Sequence, residues 1–394
     1  MVTRKQGANE RHLEEPQGIK VVRTHYLARL KFFCQNVSGE KLSNSEHLRY
    51  NMWHNKMLYT VSFWIREVFS YPDSQIGWRP FALEAVRNII KTDNIMVIFS
   101  TSPPVTNHLI ASELQHETGL PWVADFRDLW TQNHYYSHTV VRRKFETQLE
   151  KRVLRGATML ITVSQPLAHK LGALHKKPVE VITNGFDEDD FAGAAPQLSK
   201  VFTLTYTGRF GEIYSGRRNP SLLFSAIKHL LDSNSIDPKL LLVRFFGPES
   251  DRIELENLAR HYGIQKLVKH GGFIPYKEAI LQQRASTLLL LFSWDHPEEK
   301  AIYPGKIFEY LGARRPILAI PKNNGVVDEL LKTTNSGFSA GTKEEIMQII
   351  KSWYDEFINR GYIDYAGREE EINKYTRKAM TRKIAEIFEK VGNN

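Results

Sequence analysis

From Phe81 onward the chain alternates amphipathic, helix-like stretches with short apolar runs, and after a break it does so again from Val201. Such alternation predicts parallel sheets with crossover helices, because each strand must be carried back to the same edge before the next can pair with it. The first series reads as helix 81–91, strand 95–100, helix 108–118, strand 122–126, helix 141–154, strand 158–163, a further helix and strand 179–182. The second reads as strand 201–207, helix 219–231 with Asn219 as N-cap, strand 240–246, helix 251–262, strand 268–271, helix 275–284 and the wholly apolar strand 287–292. A chain of 394 residues is too long for one ordinary core, and each series supplies one.

The remaining segments are less regular. Residues 19–23 form a strand candidate, but no opening apolar strand with a glycine-rich turn precedes the first series, so the first βα unit is missing or atypical. Residues 40–80 are polar and aromatic, with Trp53, Trp64 and Trp78 and a helix near 54–69. The run FDEDDFAGAAPQ after Gly185 reads as a linker, and 362–391 as a charged helical tail.

Open parallel sheets bind ligands beyond the carboxyl ends of their strands. The segment Tyr303 to Pro321, YPGKIFEYLGARRPILAIP, lies at such an edge and reads as loop, helix, turn and strand. Lys306 and Glu309 are i and i+3 on the helix, near its N-terminus, where free N–H groups and the dipole favour phosphate. Gly208-Arg209 with Arg217-Arg218, and Gly271-Gly272-Phe273, end other strands of the same series. Glycines permit close backbone approach, arginines grip phosphate oxygens, and Glu309 can accept from vicinal hydroxyls. The set suits a nucleoside diphosphate. In the first series, WVADFRDLWTQN places Asp125 and Asp128 around Arg127 at a strand end, with Trp130 beyond. These carboxylates either orient a hydroxyl nucleophile or brace the loop as an Asp-Arg pair. His108, after Ser102-Pro103-Pro104, heads a helix as a cap or a substrate contact.

Composition narrows the partners. The formal net charge of +9 suits anions, whether nucleotide, nucleic acid or acidic membrane surface, but lysine and arginine are dispersed rather than gathered in one stripe, which disfavours nucleic acid. The single cysteine, Cys34, excludes an intramolecular disulfide and reads as a structural thiol. Without a long apolar run or a signal-peptide-like start, the expected location is the cytoplasm. His134 and His138 are i and i+4 without an acidic partner at ligand spacing, so no metal site is expected.

The segments STSPPVTNH, PWVADFRDLW, ITNGFD, YTGRFGEIYSGRRNPSLLFSAI, GGFIPYKEAI and PGKIFEYLGARRPILAIP together resemble the GT-B glycosyltransferases, specifically the retaining enzymes of family 4. The resemblance implies an α/β fold with two Rossmann-like domains whose parallel sheets face across a cleft. It implies an acceptor domain at 1–190, a donor domain at 191–365 and a final helix, 366–394, packing back on the first domain. Glu309 would bind the ribose hydroxyls. Arg209 and Arg218, with Gly208, Gly305 and Lys306, would hold the diphosphate, and Phe273 and Ile274 would border the base. Arg209, Asp125 and Asp128 would be the catalytic groups, with His108, Arg127 and Trp130 on the acceptor side. The donor would be UDP- or GDP-linked and the acceptor a carbohydrate or lipid-linked glycan. No metal or cofactor would be needed, and an anionic membrane surface would be a further partner, placing the protein peripherally at the inner face. The pattern departs from the family in lacking its first strand, in having Ala301 where the first of two glutamates is expected, and in having Asp125-Phe126-Arg127-Asp128 where a histidine is frequent. A non-catalytic nucleotide-sugar-binding protein and a GT-B epimerase are the competing readings.

Overall fold

The computed structural model describes residues 1–4, 18–27, 71–136, 138–194, 196–210 and 218–393. Cys34, Trp53, Trp64, the helix expected at 54–69 and Arg217 lie outside them. The chain forms two compact units, Met1–Val181 with Glu386–Asn394, and Ile182–Ala385.

Unit 1 opens with two three-residue strands, β1 (Val2–Arg4) and β2 (Val22–Thr24), paired in parallel as a sheet of their own. The strand candidate at 19–23 is therefore realised slightly later. Helix α1 (Arg79–Thr92) leads to β3 (Ile98–Ser102), α2 (Thr106–Thr118), β4 (Trp122–Phe126), α3 (Val140–Val153), β5 (Met159–Thr162), α4 (Gln165–His175) and β6 (Val179–Val181). The four strands β3-β4-β5-β6 are parallel and in sequence order. Every residue of β4 and β5 is buried, as strands covered on both faces require. Asp73 holds the start of α2 from outside the helix, accepting from the Thr106 N–H at 2.8 Å and its hydroxyl at 2.7 Å. The last residues of the chain also belong to this unit, with Phe388 edge-on to Phe99 at 5.3 Å.

Unit 2 contains β7 (Phe202–Thr207), α5 (Ser221–Asp232), β8 (Leu241–Phe246), α6 (Arg252–His261), β9 (Val268–His270), α7 (Tyr276–Arg284), β10 (Leu288–Phe292), α8 (Lys306–Ala313), β11 (Ile317–Ile320), α9 (Val326–Thr334), β12 (Gly337–Ser339), α10 (Lys343–Arg360) and α11 (Glu369–Asn373); α12 (Arg377–Gly392) begins here. Its parallel strands run in the order β12-β11-β10-β7-β8-β9. The sequence LLLLF of β10 shows why this sheet is covered on both faces. Leu288, Leu290 and Phe292 join one core cluster and Leu289 and Leu291 the other, as the twofold period of a strand demands. Burying each such leucine stabilises the fold by roughly 1.5–3 kcal/mol.

Two local expectations, the linker after Gly185 and the cap of α5, are corrected. The supposed linker after Gly185 is packed: Phe186 is buried in a core cluster, and a 3-10 turn over Glu188–Phe191 follows it. Phe191 explains Gly312, since a Cβ at that glycine would lie 2.4 Å from the Phe191 ring. Helix α8 therefore continues through Gly312 and ends at Arg314, which takes the left-handed conformation at φ 53°. Arg314 is held there by two 2.7 Å contacts with the Glu369 carboxylate. The N-cap of α5 is Pro220 rather than Asn219, whose side chain accepts from the Ser221 N–H in the preceding turn.

Candidate functional site

Strand order changes direction at β7, which lies between β10 and β8, so the crevice beyond the carboxyl ends of β7 and β10 is the place where an open parallel sheet takes a ligand. The chain fills it with Gly208 and Arg209 from β7 and with the N-terminus of α8 from β10. Lys306 folds back across this point. Its Nζ lies 3.7 Å from the centroid of the Tyr206 ring and is buried without a hydrogen-bond partner. A Cβ on Gly208 would come within 2.5 Å of that Nζ, and Gly208 has φ 129°, so glycine serves both the backbone and the lysine. Burial pushes the Lys306 ammonium well below its ordinary value, the Arg218 charge adds to this, and Glu309 and Asp251 oppose it.

Glu309 follows on the same helix. Its Oε2 accepts from Gln283 Nε2 at 3.2 Å, and that nitrogen also donates to Thr207 Oγ1 at 2.9 Å. Burial raises the Glu309 carboxyl above the usual range against the Gln283 N–H and the Lys306 charge. The expected convergence of Lys306 and Glu309 is present, but each is set by a residue from another strand or helix rather than by an ion pair between them. Tyr310, the next residue, is fully buried and its hydroxyl accepts from the Thr207 N–H at 3.1 Å, which ties α8 to the end of β7.

The glycine loops are joined by their backbones. Gly208 N–H donates to Phe246 O at 2.7 Å, Gly247 N–H to Gly272 O at 3.0 Å and Gly271 N–H to Phe245 O at 2.8 Å. Phe273 stands 68% exposed beside them, with Ile274 half-buried. Arg209 is exposed, and its carbonyl is what the structure fixes, accepting from Tyr206 Oη at 3.0 Å and Arg218 Nη1 at 3.1 Å. Gly305 is exposed at the start of α8.

Unit 1 places its expected residues differently. Asp125 is buried at the end of β4, accepting from Thr101 Oγ1 at 2.9 Å and pairing with Arg127 at 3.2 Å. Burial raises its carboxyl, and the same cause raises Asp128, which reaches the surface. His108 is fully buried inside the first turns of α2. Trp122 Nε1 donates to Ser100 Oγ, and Ser100 Oγ shares a hydrogen bond with His108 Nδ1, both at 2.8 Å, while His108 Nε2 has no partner. With no water to solvate a charge, its pKa falls to about 3. A neutral, enclosed imidazole tilted against the Phe126 ring, 4.4 Å between centroids, braces the core. Trp130 is buried too, its Nε1 donating to Glu146 Oε2 at 2.8 Å. It borders a cavity of about 1320 Å³ whose lining includes Ile89, Ile98, Ile110, Leu114, Tyr135 and Phe388. Among the described residues no three His, Cys, Asp or Glu side chains are grouped as a metal site would need.

Gln283, Tyr206 and Thr207 are the site residues that the sequence pattern does not single out. A glutamine on a helix and a tyrosine in an apolar strand carry no chemical signature until the fold sets them beside Glu309 and Lys306.

Residues 32–190 match the family model described as Glycosyltransferase Family 4. Among solved structures the chain is similar to sucrose-phosphate synthase from Thermosynechococcus elongatus, at TM-score 0.60 and 12% identity over 99% of this chain and 88% of that one. It is also similar to HepE of Anabaena in complex with UDP, at TM-score 0.60 and 16% identity over 79% and 82% of the two chains. A glycosyltransferase from Rickettsia africae matches at TM-score 0.57 and 18% identity over 79% and 81%. No curated protein matches. These likenesses show the fold, that of the GT-B glycosyltransferase structures.

Proposed function

We propose that the protein transfers a sugar from a UDP- or GDP-linked donor to a carbohydrate or lipid-linked acceptor, with retention of anomeric configuration and without a metal ion, in the synthesis of a polysaccharide or glycoconjugate. One observation carries the reading: a buried lysine without a hydrogen-bond partner, aimed at a glycine at the strand-order switch, with a carboxylate one helical turn on. A diphosphate at this point would accept from Lys306 Nζ, from the backbone N–H groups of Gly305 and Lys306 and from Arg209, with Arg218 adding charge. Glu309, held by Gln283, would accept from the ribose hydroxyls, and Phe273 and Ile274 would flank the base. As the glycosidic bond to the diphosphate breaks, negative charge grows on the leaving oxygen, and these cations stabilise it in the role that a divalent ion takes in other enzymes.

Acceptor recognition is assigned to unit 1. Asp128 reaches the surface and is the better placed of the two aspartates to orient a hydroxyl, with Asp125 and Arg127 holding the loop. The apolar lining of the cavity beside Trp130 suits an acceptor with a lipid portion. HepE has been crystallised with UDP and with UDP-glucose, which supports a nucleotide-sugar donor here.

A second reading, donor binding without transfer, rests on Ala301, which is buried where the resemblance expects a glutamate. Thermal-shift measurements with UDP, GDP, ADP and their common sugar conjugates, followed by assay of nucleotide release, separate the two. Slow release of UDP or GDP from one conjugate supports transfer; a shift in Tm without release supports binding alone. No shift with any of them overturns both.

A further inference from the structure

The turn between α8 and β11 carries two adjacent arginines that the fold treats differently. Arg314 is ion-paired, its guanidinium held by the Glu369 carboxylate. Arg315 is half-buried and faces another cation instead. Its Nε donates to the carbonyl of Arg284, the last residue of α7, at 2.8 Å, and Arg284 Nη2 donates in turn to the Gly193 carbonyl at 3.3 Å. Among the described residues neither guanidinium has a further hydrogen bond or an ion pair, and none of their remaining N–H groups is sealed from solvent. Burial lowers the Arg315 guanidinium from its ordinary value, and the Arg284 charge adds to this. The carbonyl end of α7 answers part of the charge. What is left is two like charges tethered side by side with donors to spare, an arrangement that is unfavourable until an anion is supplied.

The place is distinct from the nucleotide crevice. Gly193, Arg284 and Arg315 lie in the connections that lead into β7, β10 and β11, whereas Gly208 and Lys306 lie beyond the carboxyl ends of β7 and β10. We propose that Arg284 and Arg315 form a second anion site, at the amino edge of the unit 2 sheet, that takes a phosphate group, either free or carried by a small molecule. A dianion answers both cations where a carboxylate would leave one unanswered, and the planar forks of guanidinium groups suit phosphate oxygens. A long polyanion fits less well, because it needs a run of cations and the adjacent Arg314 is already taken by Glu369. The site does not depend on the proposed transfer reaction.

Thermal-shift and calorimetric titrations with inorganic phosphate, at constant ionic strength against chloride, test the inference. Because phosphate can also enter the nucleotide crevice, they are run on Lys306→Met protein and on wild type saturated with UDP as well as on wild type alone. In each, phosphate is expected to bind saturably and raise Tm. Arg284→Gln and Arg315→Gln should each weaken that binding by about tenfold or more, with Arg315→Lys between them and wild type. Without phosphate, Arg284→Gln should melt no lower than wild type, because it relieves the repulsion at the loss of one long hydrogen bond. A merely structural pair would show the reverse, a lower Tm and no phosphate effect, and would overturn the site. Arg284→Gln carries the test alone if Arg315→Gln does not fold. Glycerol 3-phosphate separates the sources: tighter binding than inorganic phosphate assigns a phosphorylated small molecule, and equal or weaker binding assigns the free ion. No saturable binding of phosphate outside the nucleotide crevice, equal binding by the arginine variants and wild type, or binding of an RNA oligomer without binding of phosphate would overturn the proposal.

Discussion

Lys306 Nζ rests 3.7 Å above the Tyr206 ring with no hydrogen-bond partner, and burial disfavours its charge. The ring face offers a cation some attraction, but far less than a phosphate oxygen would. The site is thus built around a cation whose full partner is to come from outside, and proton binding must be coupled to that arrival.

The coupling sets a pH dependence. The free protein holds Lys306 at a depressed pKa, and a bound diphosphate favours the protonated form, so UDP or GDP binding should take up a proton at pH values above the free pKa. Affinity should be flat below that pKa and fall as pH rises through it. Calorimetry at fixed pH in buffers of differing ionisation enthalpy measures the uptake, and Lys306→Met should abolish it. Binding heats independent of buffer in the wild type at pH values above the free pKa would contradict the assignment.

Glu309 and Gln283 should divide affinity and positioning between them. Glu309→Ala removes a charge-assisted acceptor and should weaken nucleotide binding by roughly 1.5–3 kcal/mol, about ten- to a hundredfold in Kd. Gln283→Leu keeps the carboxylate but removes the N–H that aims it, so a smaller loss is expected, of about 1 kcal/mol. Titration of both variants with UDP or GDP checks the order. Unchanged affinity in Glu309→Ala would remove the ribose role.

How far the site was legible follows from what a sequence can display. Strand Trp122–Phe126 and the placing of Lys306 and Glu309 one turn apart on α8 are local features, set by periodicity and helical spacing, and both are present. Gln283 meets Glu309 across 26 residues, and Tyr206 meets Lys306 across three strands and three helices, so only the sheet order brings them together. His108 misled in the opposite direction. Helix α2 begins at Thr106, capped by Asp73 from 33 residues upstream, which turns the histidine inward against Phe126. The burial of the α3 acids was equally hidden, because Glu146 and Glu150 look like ordinary surface acids until Trp130, Thr131 and His175 are seen to enclose them.

The buried His108 makes its own prediction. Its pKa is about 3 in the folded protein against an ordinary 6.5, so the folded state stays neutral where the unfolded chain takes up a proton. Its contribution is therefore fully present above pH 6.5 and is lost as pH falls from there toward 3, at about 1.4 kcal/mol per pH unit. In His108→Leu, the slope of unfolding free energy against pH should lessen by about that amount in this window, whatever the variant's stability at neutral pH. Denaturant titrations at pH 7 and at mildly acidic pH provide the comparison. Identical slopes would mean that the imidazole is solvated and not enclosed.

Arg209 tests where the charge for leaving-group departure comes from. Its carbonyl is fixed by Tyr206 and Arg218 while its side chain is exposed, so a guanidinium free to follow the diphosphate should matter more as the bond breaks than when the donor first binds. Arg209→Ala should then lower kcat about a hundredfold or more with a much smaller change in donor KM. Because Lys306 and Arg209 together occupy the role of a divalent ion in this scheme, wild-type turnover should survive EDTA. Equal kcat for variant and wild type at saturating donor would remove Arg209 from the chemistry. Loss of turnover in EDTA with rescue by magnesium or manganese would show that the two cations do not suffice, and that the diphosphate is held with a metal whose ligands the donor itself must supply in large part.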